Sequence, residues 1–166
     1  LSRGLGDVYK RQKLGDPNLL DCVWNLHPEV HRTNVFNQHP PGNELAWFCG
    51  PKTEALPGYG PLVKGKYVRK EFAHEIERLG DELVSINPNL IVCLGNCALW
   101  ALLNKTGVKN LRGTTFLSTH TATGFKLLPT YHPAAVLRQW EIRPVVVMDL
   151  TKAAREGAFP EIRRPK

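Results

Sequence analysis

The residues of this chain that could carry chemistry lie at the ends of predicted strands. His132 follows the apolar run 127–131 and stands directly before Pro133, after which residues 134–140 can begin a helical turn. In open α/β sheets, ligands bind beyond the carboxyl ends of the strands, where polar groups of different strands converge. On this segment alone, His132 is equally consistent with a site residue and with a histidine that caps a turn.

Two further strand ends carry candidate residues. The β-prone segment 31–36 contains Asn34 and leads to Asn37, and the apolar run 89–95 ends at Gly95, where a helix is predicted to start. A strand followed by glycine and a helix directs backbone N–H groups toward an anion, although one glycine is a weak phosphate signal. Because parallel strands end at one edge of a sheet, we expect Asn34, Gly95 and His132 to share a cleft.

The elements that must position these residues alternate between strand and helix. Helices are predicted over residues 16–26, 66–85, 96–103 and 144–156, and a hairpin within 109–123 is predicted to feed the last strand. This pattern predicts an α/β fold with a three-layer α/β/α arrangement and a mostly parallel central sheet. With 166 residues and 42% hydrophobic content, the chain is expected to form one domain.

Residues 42–65 combine glycine and proline with large aromatic side chains. A loop of this length inside a domain usually has a function or is disordered, and Trp47, Phe48 and Tyr59 favour order because such rings need a packing partner. The rings either pack within an Ω-like loop or stack on a nucleobase, and the sequence leaves both alternatives open.

The bulk composition indicates a basic protein with reduced cysteines. Lys and Arg outnumber Asp and Glu by 22 to 15, giving a net charge of +7, which favours a polyanionic partner. The four cysteines show no CxxC spacing, so neither a zinc site nor a disulfide framework is predicted. His27 and His31 have the spacing of a two-His metal face, but Pro28 disfavours the helix that this site requires.

The chain also lacks sequence signals for a membrane or for secretion. No apolar run approaches the roughly 20 residues needed to span a bilayer, and no signal-peptide pattern is recognisable. We therefore expect a soluble, cytoplasmic protein, in the host cytoplasm if the source is viral.

Residues 1–12 show no helical or strand period and resemble an adaptor-derived leader, so we expect the domain to occupy residues 13–160 and a tail or linker to occupy 161–166.

Four segments occur in the order and approximate spacing typical of one family. They are TNVFNQHPPGNE, NPNLIVCLGNCALWALL, LRGT and LLPTYHPAAVLR, and together they resemble the uracil-DNA glycosylase superfamily. The resemblance is strongest to its iron–sulfur-containing branch and to phage-encoded relatives associated with DNA polymerases. It implies an α/β domain that acts as a monomer on uracil-containing DNA by base flipping and hydrolysis.

The resemblance also implies roles for individual residues. His132 matches the histidine that stabilises negative charge on the departing uracil, and Asn34 matches the base-reading asparagine, whose amide can pair with uracil O4 and N3–H. Val136 and Leu137 match the region that supplies an apolar wedge, with ordinary helix packing as the alternative. The DNA-backbone contacts implied by the resemblance are those of Pro40, Pro41, Gly95 and Arg138.

Two departures from the family pattern affect the expected activity. The acidic, water-activating motif should precede Arg32, and none is found, which leaves activity open and suggests an N-terminal truncation. Relatives with an iron–sulfur cluster carry a cysteine where this chain has Gln38, so no cluster is expected. The alternatives are a catalytically impaired DNA-binding or polymerase accessory domain and, less well supported, a nucleotide-binding domain that lacks the usual glycine motifs.

Overall fold

The computed structural model describes residues 30–163, which form two sheets flanked by helices. Strands β1 (Cys49–Gly50) and β2 (Tyr67–Val68) pair antiparallel, and β3 (Ile91–Leu94), β4 (Phe116–Leu117) and β5 (Lys126–Thr130) form a sheet in the order β3-β5-β4. The α-helices of the described range are α1 (Ala73–Ile86), α2 (Gly95–Leu103), α3 (Val108–Leu111), α4 (Pro133–Arg138) and α5 (Arg143–Glu156). Short 3-10 helices occupy Pro41–Asn43, Leu45–Phe48, Lys52–Glu54, Lys70–Phe72 and Trp140–Ile142.

The three-stranded sheet is built around β5, all five residues of which are buried. It pairs in parallel with β3, so that Leu94 lies opposite Thr130, and antiparallel with β4. The antiparallel pairing follows from the tight connection through Gly124, whose N–H donates to Ser118 O at 2.9 Å. The α/β class is confirmed, whereas the sheet of residues 30–163 is mixed rather than mostly parallel.

Helices cover both faces of this sheet. Along β3, Ile91 and Cys93 pack with the main hydrophobic core, which includes α1 and α2, whereas Val92 packs with a second cluster formed by α4 and α5. Successive side chains of a strand point to opposite faces, so the two clusters lie on opposite sides of the sheet. This arrangement is the three-layer architecture expected from the sequence.

The segment 31–36, predicted as a strand, is irregular. Arg78 of α1 donates from Nη2 to the carbonyl oxygens of Asn34 and Val35, at 2.6 and 3.2 Å. Because a guanidinium satisfies these carbonyls, the segment needs no strand ladder at that point. The predicted helix 16–26 and His27, one member of the His27 and His31 pair, lie outside the described residues.

Phe48 and Tyr59 of residues 42–65 pack within the protein, which was the first of the two alternatives, whereas Trp47 is 40% exposed. Phe48 is 2% exposed and stacks on Phe36 with ring centroids 4.1 Å apart. Tyr59 lies 4.8 Å from the Trp100 ring and hydrogen-bonds Thr121. These contacts fix the loop against α2 by burial of large rings.

A buried lysine anchors the segment that follows α5. Lys126 Nζ donates to the carbonyl oxygens of Glu156, Phe159 and Glu161 at 2.7, 2.5 and 3.0 Å, and it forms an ion pair with the Glu156 carboxylate at 3.2 Å. The side chain has no solvent exposure, so these oxygens replace its water shell.

Within residues 30–163, no helix has the length and apolar character that crossing a membrane would require.

Candidate active site

His132 stands at the junction between β5 and α4. It is the N-cap residue of α4, and its Nδ1 accepts a hydrogen bond from the Ala134 N–H at 3.1 Å. Pro133 occupies the first turn, where its missing N–H and fixed φ suit a helix start. Since Nδ1 acts as the acceptor, the neutral ring carries its hydrogen on Nε2, which is then a hydrogen-bond donor.

The surroundings of His132 favour this neutral form. Desolvation by the protein, and secondly the positive charge of Arg138, lower the pKa of His132 below its usual value of 6.5. The residue is nevertheless exposed at the surface, so a ligand can reach the ring. At neutral pH the site therefore presents an uncharged N–H donor.

Gly95 lies directly against His132, as expected for two parallel strands that end at one edge. A Cβ placed on Gly95 would lie 3.1 Å from His132 Cβ, and Gly95 adopts a φ of +84°. Both the close approach and the left-handed backbone favour glycine here. The sequence-based expectation that these two strand ends meet agrees with the structure.

A buried ion pair holds the end of β5, and sequence reasoning missed it. Asp149 of α5 is 3% exposed and accepts hydrogen bonds from Arg112 Nε at 2.8 Å and Arg112 Nη2 at 2.5 Å. Thr130, the last residue of β5, donates to Asp149 Oδ2 at 2.7 Å. The available signals were the Arg112-Gly113 pair and one acid within an otherwise apolar helix face.

Gly113 is part of this arrangement because it makes room for the carboxylate. A Cβ on Gly113 would come within 2.7 Å of Asp149 Oδ1, and its φ is +70°. The Gly113 N–H also donates to the carbonyl oxygen of Pro129 at 2.9 Å. The β5 terminus, two residues before His132, is thus fixed from both the loop and α5.

Asn34 is exposed and is held by α1. The Arg78 side chain that binds its carbonyl oxygen also forms ion pairs with Glu75 at 3.1 Å and Glu82 at 2.6 Å. The carboxylates orient the guanidinium, which in turn fixes the backbone of Asn34. The Asn34 backbone is therefore hydrogen-bonded by α1, whereas Gly95 lies beside His132.

Residues 31–36 lie along α1 in the opposite direction. His31 contacts Glu82 near the end of α1, whereas Phe36 packs 6.3 Å from Phe72, which precedes α1. Pro40, which is buried, and Pro41, which begins a 3-10 helix, follow this segment in the chain.

Helix α4 divides the predicted wedge residues between core and surface. Val136 is 4% exposed and packs with Val146 and Leu150, which favours ordinary helix packing over DNA contact for this residue. Leu137 is 43% exposed. Arg138 is also exposed, and its Nε donates to the Ala134 carbonyl oxygen at 3.3 Å.

The described cysteines do not fit an iron–sulfur cluster. Such a cluster requires several thiolates that converge on the metal. No group of three or more His, Cys, Asp or Glu residues within 30–163 is arranged to hold a metal ion. Burial raises the pKa of the Cys93 thiol to about 12, which disfavours the thiolate form.

Comparison with known proteins supplies a family. The family model described as the uracil DNA glycosylase superfamily matches residues 10–155. The Type-4 uracil-DNA glycosylase of Archaeoglobus fulgidus is 28% identical over 143 residues, which cover 81% of this chain and 59% of that relative. The chain thus spans less than two thirds of the length of the relative that it matches.

Proposed function

The chain belongs to the uracil DNA glycosylase superfamily, and from this premise we propose that it hydrolyses the N-glycosidic bond of a uracil flipped out of DNA. The observation that carries the proposal is the neutral His132 ring, whose Nδ1 is occupied by the Ala134 N–H. Its Nε2–H is thereby available to a ligand at the end of β5. A fixed donor at a strand end suits a reaction in which negative charge develops on a bound base.

His132 stabilises the leaving group. When the glycosidic bond breaks, its electron pair moves onto uracil, and negative charge accumulates on O2. A donor aimed at that oxygen binds the transition state more strongly than the ground state. Single donors of this kind are typically worth about 10² to 10³ in rate.

Asn34 reads the base. Its side-chain amide offers one acceptor and two donor hydrogens, which match uracil N3–H and O4. Cytosine presents an acceptor at N3 and a donor at N4, so the same amide orientation would oppose like groups. Arg78 supports this role because its Nη2 donates to the carbonyl oxygen of Asn34 at 2.6 Å and thereby fixes the Asn34 backbone.

The remaining contacts hold the DNA. Pro40, Pro41 and Gly95 provide backbone groups that grip the strand, Leu137 fills the gap left by the flipped nucleotide, and Arg138 meets a flanking phosphate. The exposure of Leu137 and Arg138 and the net charge of +7 support these roles. Flipping costs a few kcal/mol of unstacking, which such contacts offset.

His132 and Asn34 account for leaving-group stabilisation and base reading, and neither step uses an iron–sulfur cluster. Hydrolysis also requires an oriented water molecule. The acidic residue expected for this purpose precedes Arg32, in a part of the chain that lies almost wholly outside the described residues 30–163.

An end-labelled single-stranded oligonucleotide with one uracil tests the proposal. Incubation with the protein followed by alkali should cleave the strand at the abasic site, and matched oligonucleotides with thymine or cytosine should stay intact. His74→Ala provides a control variant, since His74 is an exposed histidine with its Nδ1 hydrogen-bonded to a backbone carbonyl at 3.0 Å. That variant should retain full activity.

Binding of the uracil oligonucleotide without any abasic product would contradict glycosylase activity. It would instead favour a DNA-binding domain, such as a DNA polymerase accessory module. Product from all three oligonucleotides would contradict the role of Asn34 in base selection.

A further inference from the structure

Trp140 lies at the same edge of the sheet as His132. Helix α5 contacts the end of β5 through Asp149 and Thr130, and it contacts the start of β5 through Glu156 and Lys126. It therefore runs antiparallel to β5, and its first residue projects beyond the carboxyl end of that strand. Trp140 precedes α5 directly and follows α4, which begins next to His132.

The indole of Trp140 is unusually accessible for its size. It is 53% exposed, whereas Trp100 of α2 is completely buried. The guanidinium of Arg143 lies 5.0 Å from the centroid of the Trp140 ring, a cation–π arrangement that orients the indole. A large ring held in place at the surface has the form of a stacking platform.

The neighbours of Trp140 favour nucleic acid as the ligand. Leu137 and Arg138, both exposed, lie just before it in α4, and Arg143 lies just after it. Glu141 is the acid of this segment, so residues 137–143 carry two cationic side chains and one anionic side chain. An aromatic platform between cations matches the alternation of bases and phosphates along a single strand.

We propose that Trp140 stacks on an unpaired nucleobase that neighbours the flipped uracil. The inference rests on the proposed function, because it takes uracil bound at His132 as the reference point on the strand. In a duplex, the next base pair covers one face of this neighbouring base, and Leu137, in its proposed place in the gap, covers the other, so neither face is open to the indole. Trp140 therefore directs the site toward uracil in single-stranded or locally melted DNA.

The test combines variants of Trp140 with changes in the DNA. The probes are single-stranded oligonucleotides with one 2′-fluoro-2′-deoxyuridine, whose glycosidic bond resists cleavage. One probe has normal neighbours, and two others carry a tetrahydrofuran abasic nucleotide on the 5′ or the 3′ side. Affinities are measured for the wild type, Trp140→Ala, Trp140→Phe and Met148→Ala, where Met148 is a 68% exposed apolar residue of α5.

Trp140→Ala should bind the normal probe roughly 5- to 150-fold more weakly than the wild type, the range for loss of one base–aromatic stack. On one of the abasic-neighbour probes, the wild type and Trp140→Ala should bind equally. Trp140→Phe should keep most of the affinity, and Met148→Ala should keep all of it. The melting temperatures should be unchanged because these side chains are exposed.

Several results would overturn the inference. Equal binding by Trp140→Ala and the wild type would do so, as would a loss of the same size on every abasic-neighbour probe. Abasic product from the wild type without any dependence on Trp140 would refute stacking but not the proposed function. Trp140-dependent binding without product would refute the proposed activity but not stacking, and absence of all DNA binding would refute both.

Discussion

Replacement of Asp149 by alanine should destabilise the protein and disturb the active site together. The Asp149 carboxylate is 3% exposed and joins Arg112, which directly follows α3, to Thr130 at the end of β5. Its removal leaves the Arg112 guanidinium without a counter-charge and the Thr130 hydroxyl without an acceptor. His132 follows Thr130 by two residues, so the lost support lies directly below the site.

The expected size of the effect follows from these contacts. Removal of one partner from a buried ion pair costs about 3–5 kcal/mol. The side chain of Arg112 is 25% exposed, so water can compensate for part of the loss, and the lower end of that range is appropriate. The hydroxyl of Thr130 adds about 1 kcal/mol. A chain of this size loses roughly 2–4 °C of melting temperature per kcal/mol, so we expect a decrease of roughly 8–16 °C.

Thermal unfolding monitored by circular dichroism measures this decrease. The matched control is Asp81→Ala, which removes an exposed carboxylate from α1 and should change the stability by no more than about 0.5 kcal/mol. Uracil excision, measured well below the melting temperature of the variant, should fall although the protein is folded. An unchanged melting temperature for Asp149→Ala would refute the role of the ion pair, and full excision activity would refute its support of His132.

Three further outcomes follow from the structure. The folded state lowers the pKa of His132 below 6.5, so at this residue the folded protein binds fewer protons than the unfolded chain. The contribution of His132 to folding stability should therefore be fully present above pH 6.5 and decline as the pH falls below it. Between about pH 7.5 and 5.5, the melting temperature of His132→Ala should fall less than that of the wild type, whereas an equal fall would contradict the lowered pKa. Lys126→Met should lower the free energy of unfolding by about 3–5 kcal/mol and release residues 157–163. Faster tryptic cleavage after Arg163 would reveal this release, and unchanged cleavage would contradict it. Arg78→Ala should remove the hydrogen bonds to the carbonyl oxygens of Asn34 and Val35, and it should raise the KM for uracil-containing DNA more than it lowers kcat. Equal KM values for the variant and the wild type would show that Arg78 does not position Asn34.

The sequence sufficed for the elements whose pattern is local. The apolar run before Gly95 and the run before His132 predicted two strands whose ends lie at one edge of the sheet, and the structure places these two strand ends in contact. The helix predicted over 144–156 agrees with Arg143–Glu156 to within one residue. Periodicity and flanking glycine or proline carry this information because they act within a few residues.

The remaining features depend on contacts between distant segments. The network of Arg112, Asp149 and Thr130 joins three elements, and neither the Arg112-Gly113 pair nor the single acid on the apolar face of α5 shows in the sequence that these residues meet. The segment of Asn34 has strand propensity, but Arg78, more than 40 positions later, satisfies its carbonyls instead. Helix α4 has six residues, too few for a period to show that Val136 faces the core and Leu137 the solvent.

The most direct test of the central claim is the single-turnover rate of uracil excision by His132→Ala. The measurement uses saturating protein and a single-stranded uracil oligonucleotide, with DNA affinity determined in parallel. We expect the rate to fall by about 10² to 10³ with little change in affinity, because the Nε2–H acts on charge that develops only in the transition state. An unchanged rate, or a loss of affinity as large as the loss of rate, would contradict the assignment of His132 as the group that stabilises the departing uracil.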